Sequence, residues 1–576
     1  MRNILKENTA EQWDKVRTQP EYAKRVDEVR QVAEESLHEP VPLLPYTKFK
    51  LFYETGNRSV YETPYFERRK RLNAYSLMAK LTGEKKYIDA LEDIIWHICD
   101  EYTWALPAHF GTEKEIADQK IFLDLFACET GFALAECYSL LEDTLSDLVK
   151  RRMRVELRTR IIDSFLQRKQ PYFWETVENN WAAVCGGSVL AVFLYCAEDD
   201  EIAAALPQLE SAFTYFLKSF TEDGCCLEGY NYWNYGFGFF VMAADLLRNF
   251  TQGKTDYFKK ENVKTVAHYQ QKAILRAPSM SVSFADGSNC FRPLYGLSYY
   301  LKQEYPDLYL PEKFAPALSD HCYRWGHFIR AFLWTSELAE TNSTLPQTDV
   351  LEKAGWYIRR KENYTLAAKA GHNAEPHNHN DIGSFIFCTD KGQTLCDFGA
   401  GEYVKDYFSD KRYEFLVNRS LGHSVPYVNG KEQAAGAEYR GELLFADENQ
   451  AVMEIGGAYP DSTLRSLRRC FQVEEDGVIL RDEFEFSEPP TEVVERFVTH
   501  EEPCLQAGEG MVGIGDCVIE FSPQLYDVRV TKEMYSNHAG DATAAYMVDV
   551  QAKKLEQSMT WEYKIRKVNE TCQSMN

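Results

Sequence analysis

The chain has 576 residues, 45% of them hydrophobic, and a formal net charge of −24. That length exceeds what one hydrophobic core supports, so two or more domains are expected, and the apolar content excludes a largely disordered protein. The negative balance excludes non-specific binding to nucleic acid or to an anionic membrane, because whole-molecule repulsion opposes both.

The opening stretch, MRNILKENTAEQWDKVRTQ, has no apolar core of the length a secretory signal requires, and it turns amphipathic at once. A cytoplasmic protein is expected. Fifteen cysteines is an odd number, no C-x-x-C occurs, and Cys128, Cys137, Cys185 and Cys196 sit in apolar helical patterns where a reduced thiol behaves as a small hydrophobe. The uncharged run 179–197 approaches spanning length but contains Gly186-Gly187-Ser188 and has acidic flanks, so it reads as a buried helix rather than a transmembrane segment.

Apolar residues at three- and four-residue spacing predict helices over 62–82, 86–101, 117–141, 144–168, 189–198, 203–220, 237–250 and 319–339. Glycines 83, 111 and 224 and the loops around Pro278 and Pro293 separate them. A long series of helices on short connectors predicts antiparallel hairpins in a bundle, a solenoid or a closed α/α toroid.

The pattern changes after TNSTLPQTDV (341–350), a polar stretch that reads as a linker. Beyond it the period is near two. GWYIRRKENYTLAAKAG reads as two strands around Lys361-Glu362-Asn363, and AVMEIGGAY, LRRCFQVEEDGVILRDEFEF, VVERFVTH, YDVRVTKE and YMVDVQAK repeat the alternation. The expectation is an α+β protein: an N-terminal helical domain, 1–345, then a C-terminal antiparallel β-sandwich, 346–576.

The stretch 371–423 holds four of the twelve histidines, where an even spread would place about one. Its core, His377-Asn378-His379-Asn380-Asp381, precedes the short apolar run Phe385-Ile386-Phe387-Cys388, a buried strand leaving a polar loop. His377 and His379 point to one side if extended, and Asp397 and His423 arrive from later segments. Imidazoles and a carboxylate can then meet one divalent ion. In the helical half, Asn179-Asn180-Trp181 reads either as a helix cap or as a pair of ligand amides. The stretch Glu228 to Gly236, EGYNYWNYG, reads either as an aromatic core or as a binding segment. Trp104 and His109 read as a sugar-stacking wall or as packing, and the run Arg68 to Arg71 as a solvated face or as a source of substrate cations.

Taken in order, Asn179-Asn180-Trp181, Glu-Gly-x-x-Tyr-Trp-x-Tyr-Gly at 228–236, His377-x-His379-x-Asp381-x-Gly383-x-Phe385, Asp397-x-Gly399, and Arg419 with His423 and Val428-Asn429-Gly430 resemble the heparinase II/III family of polysaccharide lyases. The resemblance implies an α/α toroid followed by antiparallel sheet layers. It also implies β-elimination at a uronic acid, in which a base removes the C5 proton and the bond from C4 to the bridging oxygen breaks. Such chemistry needs a group that neutralises the uronate carboxylate, a base, and an acid for the leaving oxygen.

By resemblance, Asn180 contacts the uronate carboxylate, Tyr235 protonates the leaving oxygen and, for one substrate epimer, takes the C5 proton, and His377 serves as partner base or orients the sugar. Asn179, Glu228, Tyr232, His109 and Arg419 are the expected substrate-binding set. His379, Asp397 and His423 look like metal ligands for one divalent ion, zinc or alternatively manganese, in a mainly structural role. Some relatives carry His where this chain has Asn180; an amide cannot act as a second base, so the mechanism rests more on Tyr235 and His377. The expected partner is an acidic oligosaccharide or polysaccharide, of glycosaminoglycan or alginate type, with self-association into a homo-oligomer left open. The competing readings are a glycoside hydrolase on a similar toroid, which needs two carboxylates flanking the bond, and an inactive carbohydrate-binding protein.

Overall fold

The computed structural model of the protein describes residues 1–111, 116–335 and 344–568. The chain divides into two compact units. The first comprises Met1–Ser219, Tyr232–Lys264 and Arg292–Ser343, and the second comprises Phe220–Asn231, Thr265–Phe291 and Thr344–Asn576.

The first unit is the expected α/α toroid, built from helices that pack on their sequence neighbours. A long, almost wholly buried member is Asn180–Cys196, which packs on Leu125–Leu140, Asp199–Leu217 and Gly238–Phe250. This helix is apolar all round because it is covered all round. The reading of the uncharged run 179–197 as a buried helix holds, and the narrower spacing over 189–198 marks only its second half, short of the interruption at Gly186-Gly187-Ser188. The glycines instead let neighbours close in: a Cβ at Gly187 would meet Ala243 Cβ at 3.1 Å and the Phe239 carbonyl at 3.2 Å. No helix among the described residues is long and apolar enough to cross a membrane.

Other helices follow the predicted spacing with shifted ends. The pattern over 117–141 is two helices, Ile116–Lys120 and Leu125–Leu140, because Asp124 caps the second by accepting from Ala127 N–H at 2.7 Å. The pattern over 319–339 begins at Trp325, since Asp320 binds the Cys322 and Arg324 amides and holds the preceding residues in a turn; 336–343, including the start of the supposed linker, lie outside the described residues.

The second unit is antiparallel throughout its paired strands. Its largest sheet orders Cys504–Gln506, Met511–Ile514, Cys517–Glu520, Ser558–Lys567, Gly477–Phe486, Leu464–Val473, Gln450–Glu454, Gly436–Ala446 and Gly371–Asn373. A second sheet runs Tyr526–Ser536, Ala542–Ala552, Val493–Thr499 and Tyr427–Val428, and a third runs Thr348–Leu351, Trp356–Arg360, Thr365–Lys369, Phe385–Thr389 and Gly392–Leu395. Alternating residues such as Leu467, Phe471, Leu480, Phe484, Phe497 and Val548 join one core, as expected of a sandwich. The segments 220–231 and 265–291, which the linear division at 345/346 assigns to the helical domain, are counted with this unit. The reason is local bonding: Arg360 donates to the Ile274 carbonyl, Thr365 Oγ1 to the Leu275 carbonyl, and the Lys353 amide to Asp223. The described cysteines are all free thiols.

Candidate active site

In the first unit, Tyr235 lies in a π-helical turn, Trp233–Phe237, that leads into Gly238–Phe250. Such a turn adds one residue per turn and re-aims a side chain, and it recurs at functional sites. The Tyr235 hydroxyl donates to Glu129 Oε1 at 2.5 Å, and the Arg324 guanidinium lies 3.9 Å from the ring centre. Burial raises the Glu129 carboxyl to about 7, with the Arg324 charge and the Tyr235 hydroxyl opposing. Burial, with Glu129 alongside, also holds the Tyr235 hydroxyl well above its ordinary value.

Asn180 opens its helix half-buried, and a Cβ at Gly236 would meet Asn180 Cβ at 3.1 Å, so glycine is what admits Asn180 beside the Tyr235 turn. Asn179 is the cap: its Oδ1 accepts from Trp181 N–H at 3.0 Å. We expect Asn179→Ala to lower stability by about 1 kcal/mol in thermal melts; lost turnover without lost stability would return Asn179 to the substrate set. His109 is held by Asp124, Nδ1 to Oδ2 at 2.6 Å, stacks on Phe126, and meets Trp181 edge-on at 5.1 Å. Tyr232 is half-buried at the end of the short helix Tyr230–Tyr232.

Two basic candidates are engaged within the fold. Arg69 pairs with Glu101, Arg68 with Glu101 and the Pro42 carbonyl, Arg71 with Glu67 and the Glu39 and Pro40 carbonyls, and Lys70 with Glu67. Arg419, expected to bind substrate, instead forms a two-pronged ion pair with Glu432, which also accepts from Leu421 N–H; its planar fork is already matched to a carboxylate. Trp104 is fully buried and donates to the Ile98 carbonyl.

In the second unit, His377 holds a backbone φ of 54°, an uncommon left-handed conformation for a residue with a Cβ. Its Nδ1 is 2.6 Å from Asp286 Oδ2, and its Nε2 is 3.9 Å from Glu228 Oε1. Glu228 is raised by burial and by Asp286, with His377 opposing. Three glycines let the acids of this region gather. A Cβ at Gly229 would meet Gly287 Cα at 3.0 Å, and one at Gly399 would meet the Gly287 carbonyl at 2.3 Å, so Glu228, Asp286 and Asp397 each sit beside a close backbone contact.

Next to His377 lies a fully buried quartet, His379, Asp381, Asp397 and His423, whose ligand atoms are all within 4.8 Å of one another. Each has one polar atom committed outward. His379 Nε2 lies 3.0 Å from Asp286, His423 Nε2 donates to the Val417 carbonyl, Asp381 Oδ1 accepts from Lys369 Nζ, and Asp397 Oδ1 accepts from Gly399 N–H. The other atom of each, namely His379 Nδ1, Asp381 Oδ2, Asp397 Oδ2 and His423 Nδ1, is buried without a hydrogen bond. His423 Nδ1 and Asp397 Oδ2 approach to 3.2 Å in a geometry that makes no hydrogen bond. Four unsatisfied atoms on two imidazoles and two carboxylates fit a tetrahedral divalent cation with an oriented outer shell.

The backbone carrying these ligands is itself fastened. Arg469, neutralised by Asp482 and Glu495, donates to the carbonyls of Gly383 and Ser424, just beyond Asp381 and His423. Gln433 pairs with both the amide and the carbonyl of Ile382.

Glu129, Arg324 and Asp286 had no sequence signal beyond a charged residue in an apolar stretch or a Asp-Gly turn. Asp381 had one, the third place of the His-x-His-x-Asp series, and lacked only a reason to be counted as a ligand.

Residues 344–561 match the family profile described as Heparinase II/III-like, C-terminal. Among solved structures, the heparan sulfate lyase HepC of Pedobacter heparinus aligns with a TM-score of 0.62 at 13% identity, over 94% of this chain and 83% of that one. A heparinase III gene product gives 0.65 at 11%, over 94% and 84%. The Streptomyces coelicolor A3 chondroitin AC lyase, in complex with chondroitin sulphate, gives 0.58 at 11%, over 97% and 82%. No curated protein matches the chain in sequence. At these identities the likeness carries the fold, and the match to the Heparinase II/III-like, C-terminal family covers residues 344–561, which hold His377 and all four residues of the buried quartet.

Proposed function

We propose that the protein is a polysaccharide lyase that cleaves uronate-containing glycans by β-elimination. The observation that carries this reading is the pair of proton-transfer groups already held by acids: Tyr235 on Glu129 and His377 on Asp286. Solved structures of the same fold are named as heparan sulfate and chondroitin lyases, which supports the same substrate class here.

In this reaction His377 takes the C5 proton, the C5–H electron pair becomes the C4–C5 double bond, and the C4–O bond breaks. Tyr235 gives its proton to the departing oxygen. Asn180 donates to the uronate carboxylate and lowers the cost of the charge that builds beside it, without exchanging a proton. A divalent ion, zinc or manganese, held by His379, Asp381, Asp397 and His423, would tie three chain segments together and supply no step of the chemistry.

A hydrolase needs two carboxylates flanking the bond. Asp381, which with Glu228 would have to form that pair, is fully buried against Lys369, so it is not placed for that task. Incubation with heparan, chondroitin, hyaluronan and alginate chains tests the reading. A lyase releases products that absorb in the ultraviolet through the new double bond; reducing ends appearing without that absorbance would make the enzyme a hydrolase.

A further inference from the structure

We propose that Asp286 is a positioning residue that sets opposite tautomers on two histidines, the base His377 and the metal ligand His379. The proposal rests on the elimination reading for the role of His377. Its geometric basis does not.

Asp286 is inaccessible to solvent at its carboxylate, and its two oxygens are divided between the two rings. Oδ2 lies 2.6 Å from His377 Nδ1, and Oδ1 lies 3.0 Å from His379 Nε2. An ionised carboxylate only accepts, so each facing nitrogen must carry the proton. His377 is then the Nδ1–H tautomer, with its lone pair on Nε2, the nitrogen a base needs. His379 is the Nε2–H tautomer, with its lone pair on Nδ1, the atom that joins the buried quartet. Two residues apart in sequence, the rings require opposite protonation, and one carboxylate supplies both instructions.

The carboxylate is fixed and kept ionised by its other donors. Tyr403 Oη donates to Oδ2 at 3.0 Å, Tyr407 Oη to Oδ1 at 2.5 Å, and Arg412 reaches both oxygens at 3.2 and 3.3 Å. The backbone is held as firmly. Ala285 has φ 55°, His377 has φ 54°, and Gly287 is packed against Gly229 and Gly399. Non-glycine residues in that region cost about 1–3 kcal/mol each and persist where the surroundings over-determine them, commonly at functional sites.

The test compares wild type with Asp286→Asn in the purified full chain, with nitrogen-15-labelled histidine, assigned by His377→Gln and His379→Gln. An amide can accept from one ring but presents N–H to the other, so both tautomers cannot be kept. The wild type is expected to show Nδ1–H at His377 and Nε2–H at His379. In Asp286→Asn at least one ring should change, zinc affinity measured by chelator competition should weaken about tenfold or more, and kcat should fall at least tenfold with KM within about threefold. A buried scaffold residue with no orienting role would move melting alone and leave the tautomers as they were; that result, or kcat within threefold of wild type, overturns the proposal. Should Asp286→Asn fail to fold, the wild-type spectrum decides, because Nε2–H at His377 or Nδ1–H at His379 also overturns it. Tautomers and zinc affinity are read without substrate, so a wild type inactive on every uronate polymer would sink the elimination reading and leave these outcomes standing.

Discussion

Tyr235→Phe is expected to lower turnover on a uronate polymer by about two to four orders of magnitude while the protein stays folded. The substitution removes one oxygen and keeps the ring, and the ring is what packs: Phe239 meets it edge-on at 5.6 Å and Arg324 lies over its face at 3.9 Å. The group left behind is Glu129, which loses the donor on Oε1. A buried acceptor stripped of its donor costs about 1–3 kcal/mol. Glu129 has two ways to reduce that cost: Arg324 remains 3.6 Å from Oε2, and a carboxyl raised to about 7 can hold a proton near neutral pH. Thermal melts should therefore shift by no more than a few degrees while the initial rate of product absorbance collapses. Near-normal turnover would remove Tyr235 from the proton-transfer role and make Tyr232 the next hydroxyl to test.

The architecture was legible because two periods divide the chain. Spacing of three and four marks Lys85–Cys99, with one buried apolar face, and alternation marks Leu464–Val473 and Gly477–Phe486, each with one buried face. Periodicity failed where burial is complete. Asn180–Cys196 has no polar face to set a phase, so spacing marks only its second half; the uncharged length of 179–197 is what reads as a buried helix, and its two glycines are there for close packing. The interleaving of 220–231 and 265–291 with the β unit was hidden for another reason: it depends on tertiary hydrogen bonds such as Arg360 to the Ile274 carbonyl, which leave no local pattern.

Within the site, residues clustered in sequence were found and residues clustered only in space were not. His377, His379 and Asp381 share one loop, and their spacing is a signal by itself. Asp286 lies about ninety residues earlier in a stretch that reads as an ordinary Asp-Gly turn, yet it touches both histidines. Glu129 sits inside the apolar helix Leu125–Leu140, where a lone carboxylate is as readily explained by a structural ion pair, as Glu136 with Arg330 in the same helix illustrates. Arg419 shows what an ordered series leaves out: its guanidinium forms an ion pair with Glu432, and only coordinates reveal that partner.

Removal of the metal is expected to lower the melting temperature and activity together. Without an ion, His379 Nδ1, Asp381 Oδ2, Asp397 Oδ2 and His423 Nδ1 are buried without a hydrogen bond, the last two lying 3.2 Å apart, and a buried polar atom left unsatisfied costs about 1–3 kcal/mol. An ion that binds the folded state alone offsets that cost and adds stability by linkage, about 4 kcal/mol when present at a thousand times its dissociation constant. For a unit of this size 1 kcal/mol corresponds to about 2–4 °C, so chelation should lower melting on the order of ten degrees. His379→Ala should do the same permanently, and it should cost activity too, because the Asp286 carboxylate that orients His377 loses its second imidazole. Asp381→Asn separates the quartet from a three-ligand site: it keeps the volume but weakens one ligand, so metal affinity should fall while a His379–Asp397–His423 site would be unaffected. If geometry is all that a bound ion supplies, as proposed, zinc and manganese should each restore the chelated protein. Active protein that contains no stoichiometric metal, or chelated protein with unchanged melting and full activity, would show that the four atoms are held together by the fold alone.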